Sequence, residues 1–172
     1  MAAIFTFFVW LSTVFLLQDA SVAELRQLLF EGSANEDKAQ QLFEKVGDYK
    51  GSDPVLIGYK GAAFALKAKY GFNPVGKLKH IKTAQKYFND AVAAAPENME
   101  VRFLRYSVEA QTPKMIDLSA HVPEDQALLM EGLRKYPKSD FTPETARITR
   151  DYMVQHCTCN EQEKEFLKKL KL

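Results

Sequence analysis

The 172-residue chain has no excess charge of either sign: 23 Lys and Arg stand against 22 Asp and Glu, a formal net charge of +1. A protein that holds nucleic acid through its phosphates gathers a basic excess on one face. Balanced, interspersed charge gives no such signal, which excludes a general nucleic-acid binder. Cysteine is scarce as well, and the two present, Cys157 and Cys159, are too few for the framework of a disulfide-rich domain. No apolar run reaches the roughly 18 to 20 residues that a spanning helix needs. Two common catalytic signatures are missing: there is no His-Glu-x-x-His pair and no Gly-x-Ser-x-Gly elbow. His80 and His121 are isolated, and the carboxylate pairs Glu36-Asp37 and Glu124-Asp125 fall in first turns of helices, where negative charge suits the positive end of the dipole. What is present is 47% apolar residues, enough for a core of ordinary density and too many for a disordered tail.

Charge is also almost absent from the first 23 residues, where Asp19 stands alone. Ile4 to Leu17 forms a run of 14 positions broken by Thr6, Ser12 and Thr13, which resembles the hydrophobic region of a signal peptide. Ser21-Val22-Ala23 supplies a small-x-small cleavage signal, so the sequence predicts a leader over 1–23 with cleavage after Ala23, or after Ala20 as the alternative. No Lys or Arg precedes the run, which leaves an uncleaved membrane anchor as a second reading. The expected destination is the periplasm or the extracellular space, with the membrane reached through this segment alone. Residues 24–172 then form the working domain, 149 residues with a net charge of +2.

That domain reads as helical throughout. Start signals recur: Ser33 with Glu36, Asp53-Pro54, Thr142-Pro143, and Asn160 with Glu163. Apolar spacing of 3 and 4 follows each. After Lys79, for example, Ile81, Ala84, Phe88, Ala91, Val92 and Ala95 share one face, opposite Lys82, Gln85, Lys86, Asn89 and Asp90. The pattern predicts an all-α fold with helices near 22–31, 34–49, 54–69, 78–95, 98–110, 124–136, 144–156 and 161–170. The alternation Ile116, Leu118, Ala120, Val122 has no second strand to pair with and is read as an extended loop between helices.

The unit Ala84-x3-Phe88-x2-Ala91-x4-Pro96 resembles the second helix of a tetratricopeptide repeat, and Gly61-x2-Phe64 resembles part of the first. Ala39-x3-Phe43 repeats some of the pattern, as do Leu129, Gly132 and Pro137, although Asp125 stands where Ala84 would. Spacing between units is about 41 to 45 residues, against 34 in the standard repeat, and the stretch from Gly71 to Lys79 makes one connecting turn too long. The resemblance covers residues 53–110 best. It implies antiparallel helix pairs stacked as a short right-handed array of about seven or eight helices. It also implies a protein-interaction or scaffold module without catalytic chemistry or cofactor, binding a protein or peptide partner, most like small exported bacterial proteins of that type. The implied inner-surface residues are Tyr59, Lys60, Lys67, Arg102, Arg105, Tyr106 and Glu109. Arg102 and Arg105, three apart on one helix face, suit a carboxylate or a peptide C-terminus; their alternative partners are Glu100, Glu109 or acids on adjacent helices.

Three further patterns point elsewhere. Gly71 to Leu78 matches seven of the eight positions of a phosphate-binding loop, but Leu78 replaces the magnesium-ligating hydroxyl and the stretch follows a helix, so an inter-helix turn is the expectation. His156, Cys157 and Cys159 are three ligands for zinc or copper(I), or the two thiols close an easily reduced disulfide ring with one residue between them, or the segment is a helix end and its connector with Cys157 packed inward. Lys164, Lys168, Lys169 and Lys171, interleaved with Phe166, Leu167 and Leu170, form an amphipathic end helix that suits packing on its neighbour or an anionic membrane surface.

Overall fold

The computed structural model describes residues 21–112 and 119–172. Eight helices run through them: α1 (Val22–Gly32), α2 (Glu36–Val46), α3 (Pro54–Tyr70), α4 (Pro74–Ala94), α5 (Met99–Glu109), α6 (Val122–Lys135), α7 (Pro143–His156) and α8 (Glu161–Lys169). Among the described residues there is no strand, so the expected all-α class holds. Ile116 and Leu118 of the alternation, like the apolar run of the leader, lie outside the described residues, and Val122 itself opens α6.

Caps explain most helix starts. The Asp53 carboxylate accepts from the backbone N–H groups of Val55 and Leu56 ahead of Pro54. Reciprocal capping boxes form at Thr142 with Thr145 and at Asn160 with Glu163. Two starts differ from expectation. The cap of α2 is Asn35, whose side chain accepts from the Lys38 N–H, whereas the Ser33 hydroxyl closes α1 by donating to the Phe30 carbonyl at 2.7 Å. Helix α4 begins at Pro74, four residues before its predicted start, because Asn73 caps it by accepting from the Val75 N–H at 2.9 Å. The connection after α3 is therefore Gly71–Asn73, and the stretch that mimicked a phosphate loop is this turn followed by the first turn of α4.

Helix α3 is the centre of the N-terminal half. Gly58 through Ala63 are buried in succession, as expected for a helix surrounded on several sides, and α1, α2, α4 and α5 all pack against it. One core joins Leu25, Leu28, Leu42, Tyr59, Leu66 and Phe88; a second joins Met99, Tyr106, Leu129, Leu133, Met153 and Leu167. A Cβ on Gly61 would lie 2.9 Å from the Phe88 ring and 3.2 Å from the Ala84 carbonyl oxygen. Glycine there sets how closely α3 and α4 approach.

Candidate functional site

Most residues nominated for an inner surface are inside the fold. Arg102 and Arg105 are 4% and 3% exposed, and both close on the fully buried Asp125 of α6. Arg105 donates from Nε to Asp125 Oδ2 at 2.7 Å and from Nη2 to Oδ1 at 2.8 Å; Arg102 Nη1 reaches Asp125 Oδ1 at 2.8 Å and Glu124 Oε1 at 2.6 Å. Arg102 Nε also donates to the Pro96 carbonyl at 2.6 Å. Acids on the adjacent helix thus occupy the guanidinium groups, and no carboxylate from outside can reach them without displacing Asp125. Asp125 is thus the buried counter-ion shared by the two arginines.

The other nominees are engaged in the same way. The Tyr59 hydroxyl donates to Glu100 Oε1 at 2.6 Å, and burial followed by the Glu100 charge pushes its pKa up. Tyr106, fully buried, donates to Gln126 Oε1 at 3.2 Å, and its pKa is pushed up to about 12 by burial and then by Tyr152. Glu109, 3% exposed, accepts from the His121 backbone N–H at 3.2 Å and faces His121 Nδ1 at 2.9 Å. Lys60 donates to the Tyr49 carbonyl at 2.7 Å and lies over the Tyr87 ring. Lys67 reaches Gln40 Oε1 at 3.1 Å across the Phe43 ring. Arg26 of α1 had no sequence signal; it donates from Nη2 to both Glu100 oxygens at 2.9 Å and also bonds Glu144, tying α1 to α5 and α7.

Cys157 and Cys159 are joined by a disulfide in the α7–α8 connector, partly buried against the second core. With both sulfurs bonded to each other they offer no thiolate, and among the described residues no cluster of His, Cys, Asp or Glu is placed to hold a metal ion. The reading of the two thiols as a ring with one residue between them matches this bond, and the ring sits in a helix connector, with Asn160 capping α8 beside it.

The open feature of the molecule is elsewhere, on α4. Between Asp53 and Asp90 the chain carries seven lysines and no Asp or Glu, so this segment holds +7 and the remainder −6 of the net +1. Charge is therefore segregated along the chain, contrary to the interspersed pattern inferred from the totals. Lys77, Lys79, Lys82 and Lys86 are exposed on α4, and Lys69 is exposed at the end of α3. Among the described residues Lys86 alone of the seven meets a carboxylate, Asp90 at 2.8 Å; the Lys79 and Lys82 side chains make no ion pair or hydrogen bond there. Apolar side chains stand beside them: Phe72 is 97%, Val75 77% and Leu78 41% exposed. A shallow concavity of about 540 Å³ runs along Val75, Leu78, Lys79, Lys82, Lys86 and Tyr87. All of its lining comes from this single helix, so it is an open face and cannot enclose a small molecule. Counting charge by segment is the sequence signal that finds its lysines.

Among the described residues no helix is long and apolar enough to cross a membrane. No known protein-family model, curated protein or solved structure matches this chain.

Proposed function

We propose that this chain is an exported, non-catalytic interaction module whose contact surface is the lysine-rich face of α4 and whose partner carries negative charge. The observation that carries the reading is the run of lysines without carboxylates beside exposed Phe72, Val75 and Leu78. Buried Arg102, Arg105, Asp125 and Glu109, by contrast, are each engaged by partners inside the fold, which suits a structural role. A stacked helix-pair, tetratricopeptide-like arrangement is supported by the serial contact of α1, α3, α5 and α7 and by the close approach at Gly61 and Phe88. Export is supported by the disulfide, a bond that persists in oxidising compartments. Of the two cleavage points, Ala20 is the better supported, because Ser21 Oγ accepts from the Glu24 N–H and caps α1, and Val22 packs on the first core.

The test is binding of fluorescein-labelled poly-glutamate, followed by anisotropy at low salt. The full chain should bind, with affinity falling as salt rises, and the Lys79→Glu/Lys82→Glu/Lys86→Glu variant should not. Absence of binding, or unchanged binding by the variant, contradicts the assignment.

A further inference from the structure

We infer that the partner of this face is an anionic lipid bilayer, against which the α3–α4 corner docks with Phe72 and Val75 entering the headgroup boundary. The inference rests on the reading of α4 as the contact surface and names what meets it.

The argument starts from shape. Of the large apolar side chains exposed among the described residues (Phe30, Phe72, Val75, Leu78 and Val154), four lie at one end of the molecule. Phe72 is in the α3–α4 turn, and Val75 and Leu78 lie in the first turns of α4. Phe30 is two residues before Gly32, whose carbonyl accepts from the Tyr70 hydroxyl at 2.9 Å, which brings the end of α1 to the same place. A residue 97% exposed at a turn is a convex tip with no protein groove around it. A bound peptide strand or helix needs a groove walled on both sides or a strand edge, and the shallow concavity on α4 is lined by that helix alone.

Charge completes the argument. Behind the tip, Lys79, Lys82 and Lys86 follow Val75 and Leu78 at helical spacing of 3 and 4, so apolar and cationic groups share one stripe. Lys69 and Lys77 flank the turn. This is the arrangement of a surface-bound segment: apolar side chains at the acyl boundary, lysine heads at the phosphates, and no Asp or Glu from Pro54 to Asn89. Duplex phosphates would use the lysines but leave Phe72 and Val75 in water, and a second copy of the same face would bring lysine against lysine. Both are poorer fits than a bilayer.

The test uses the chain from Ser21 carrying Phe72→Trp, which then holds the single indole and reports on the turn; the exposure of Phe72 keeps the fold out of the comparison. Vesicles of phosphatidylcholine alone are compared with vesicles in which phosphatidylglycerol forms half of the lipid. The expected result is a blue shift of the emission on the mixed vesicles and none on the neutral ones. Adding Lys79→Glu/Lys82→Glu/Lys86→Glu should lower partitioning by about two orders of magnitude or more, since one lysine near such a surface is worth about fivefold. No shift on mixed vesicles, an equal shift on both kinds, or a shift that survives charge reversal overturns the inference. Binding of poly-glutamate or duplex DNA without a vesicle shift also overturns it, while leaving the α4 face as the contact surface; loss of all binding removes both readings.

Discussion

Asp125 meets two arginines, Arg102 and Arg105, in a site closed to water, and its carboxylate is the group that makes their burial tolerable. Removing one partner of such a cluster leaves charge buried without compensation, which costs about 3–5 kcal/mol. Asp125→Asn is therefore expected to lower unfolding free energy by that amount in urea titration. Glu124→Gln, on a side chain 55% exposed, should cost less than about 1 kcal/mol. Similar losses in the two variants would show that burial does not set the energetics here. The Arg102 hydrogen bond holds the Glu124 pKa below its usual 4.5, so its small contribution is complete above that pH and fades as pH falls through the lowered value. At alkaline pH the sign reverses. Burial keeps the Tyr106 phenol neutral up to about 12, so its contribution persists below the unfolded value of 10 and is lost as pH rises from 10 to about 12. Tm measured across that range should fall less steeply in Tyr106→Phe than in the native chain; equal slopes would contradict the burial. The spacing of Arg102 and Arg105 placed them correctly on one helix face. It said nothing about which neighbour covers that face, because the answer lies 20 residues downstream in Asp125.

Helix α4 is where the element scale decides most. Its predicted range missed the first turn because Gly71 to Leu78 was read as one turn, whereas Asn73 supplies a side-chain cap and Pro74 suits the first helical position. The other helices were legible within one to three residues at either end, since apolar periodicity and capping residues are local properties of the chain. The tight approach of α3 and α4 was legible too, through Gly61, Ala84 and Phe88. Gly61→Ala would press a methyl group against the Phe88 ring and the Ala84 backbone; the ring can shift but the carbonyl cannot, so a loss of about 1–3 kcal/mol is expected by thermal or urea unfolding. A neutral or stabilising effect, as for an exposed helical glycine, would show that the helices can separate at little cost.

For the whole molecule, the totals concealed the organisation that bears on function. A net charge of +1 reads as balance, yet the residues from α3 through most of α4 hold all of the positive excess and the remainder is acidic. The exposure of the site was not legible, because Phe72 and Val75 look like ordinary core residues until the fold leaves that end uncovered. The central claim concerns where the charge lies, and it is tested by comparing two reversals of equal size in the poly-glutamate assay: Lys79→Glu/Lys82→Glu/Lys86→Glu on α4 and Lys164→Glu/Lys168→Glu/Lys169→Glu on α8. The α8 lysines already face Glu161 and Glu165. The account predicts that the α4 reversal abolishes binding while the α8 reversal leaves most of it; equal losses from both would show that net charge, and not this face, holds the partner.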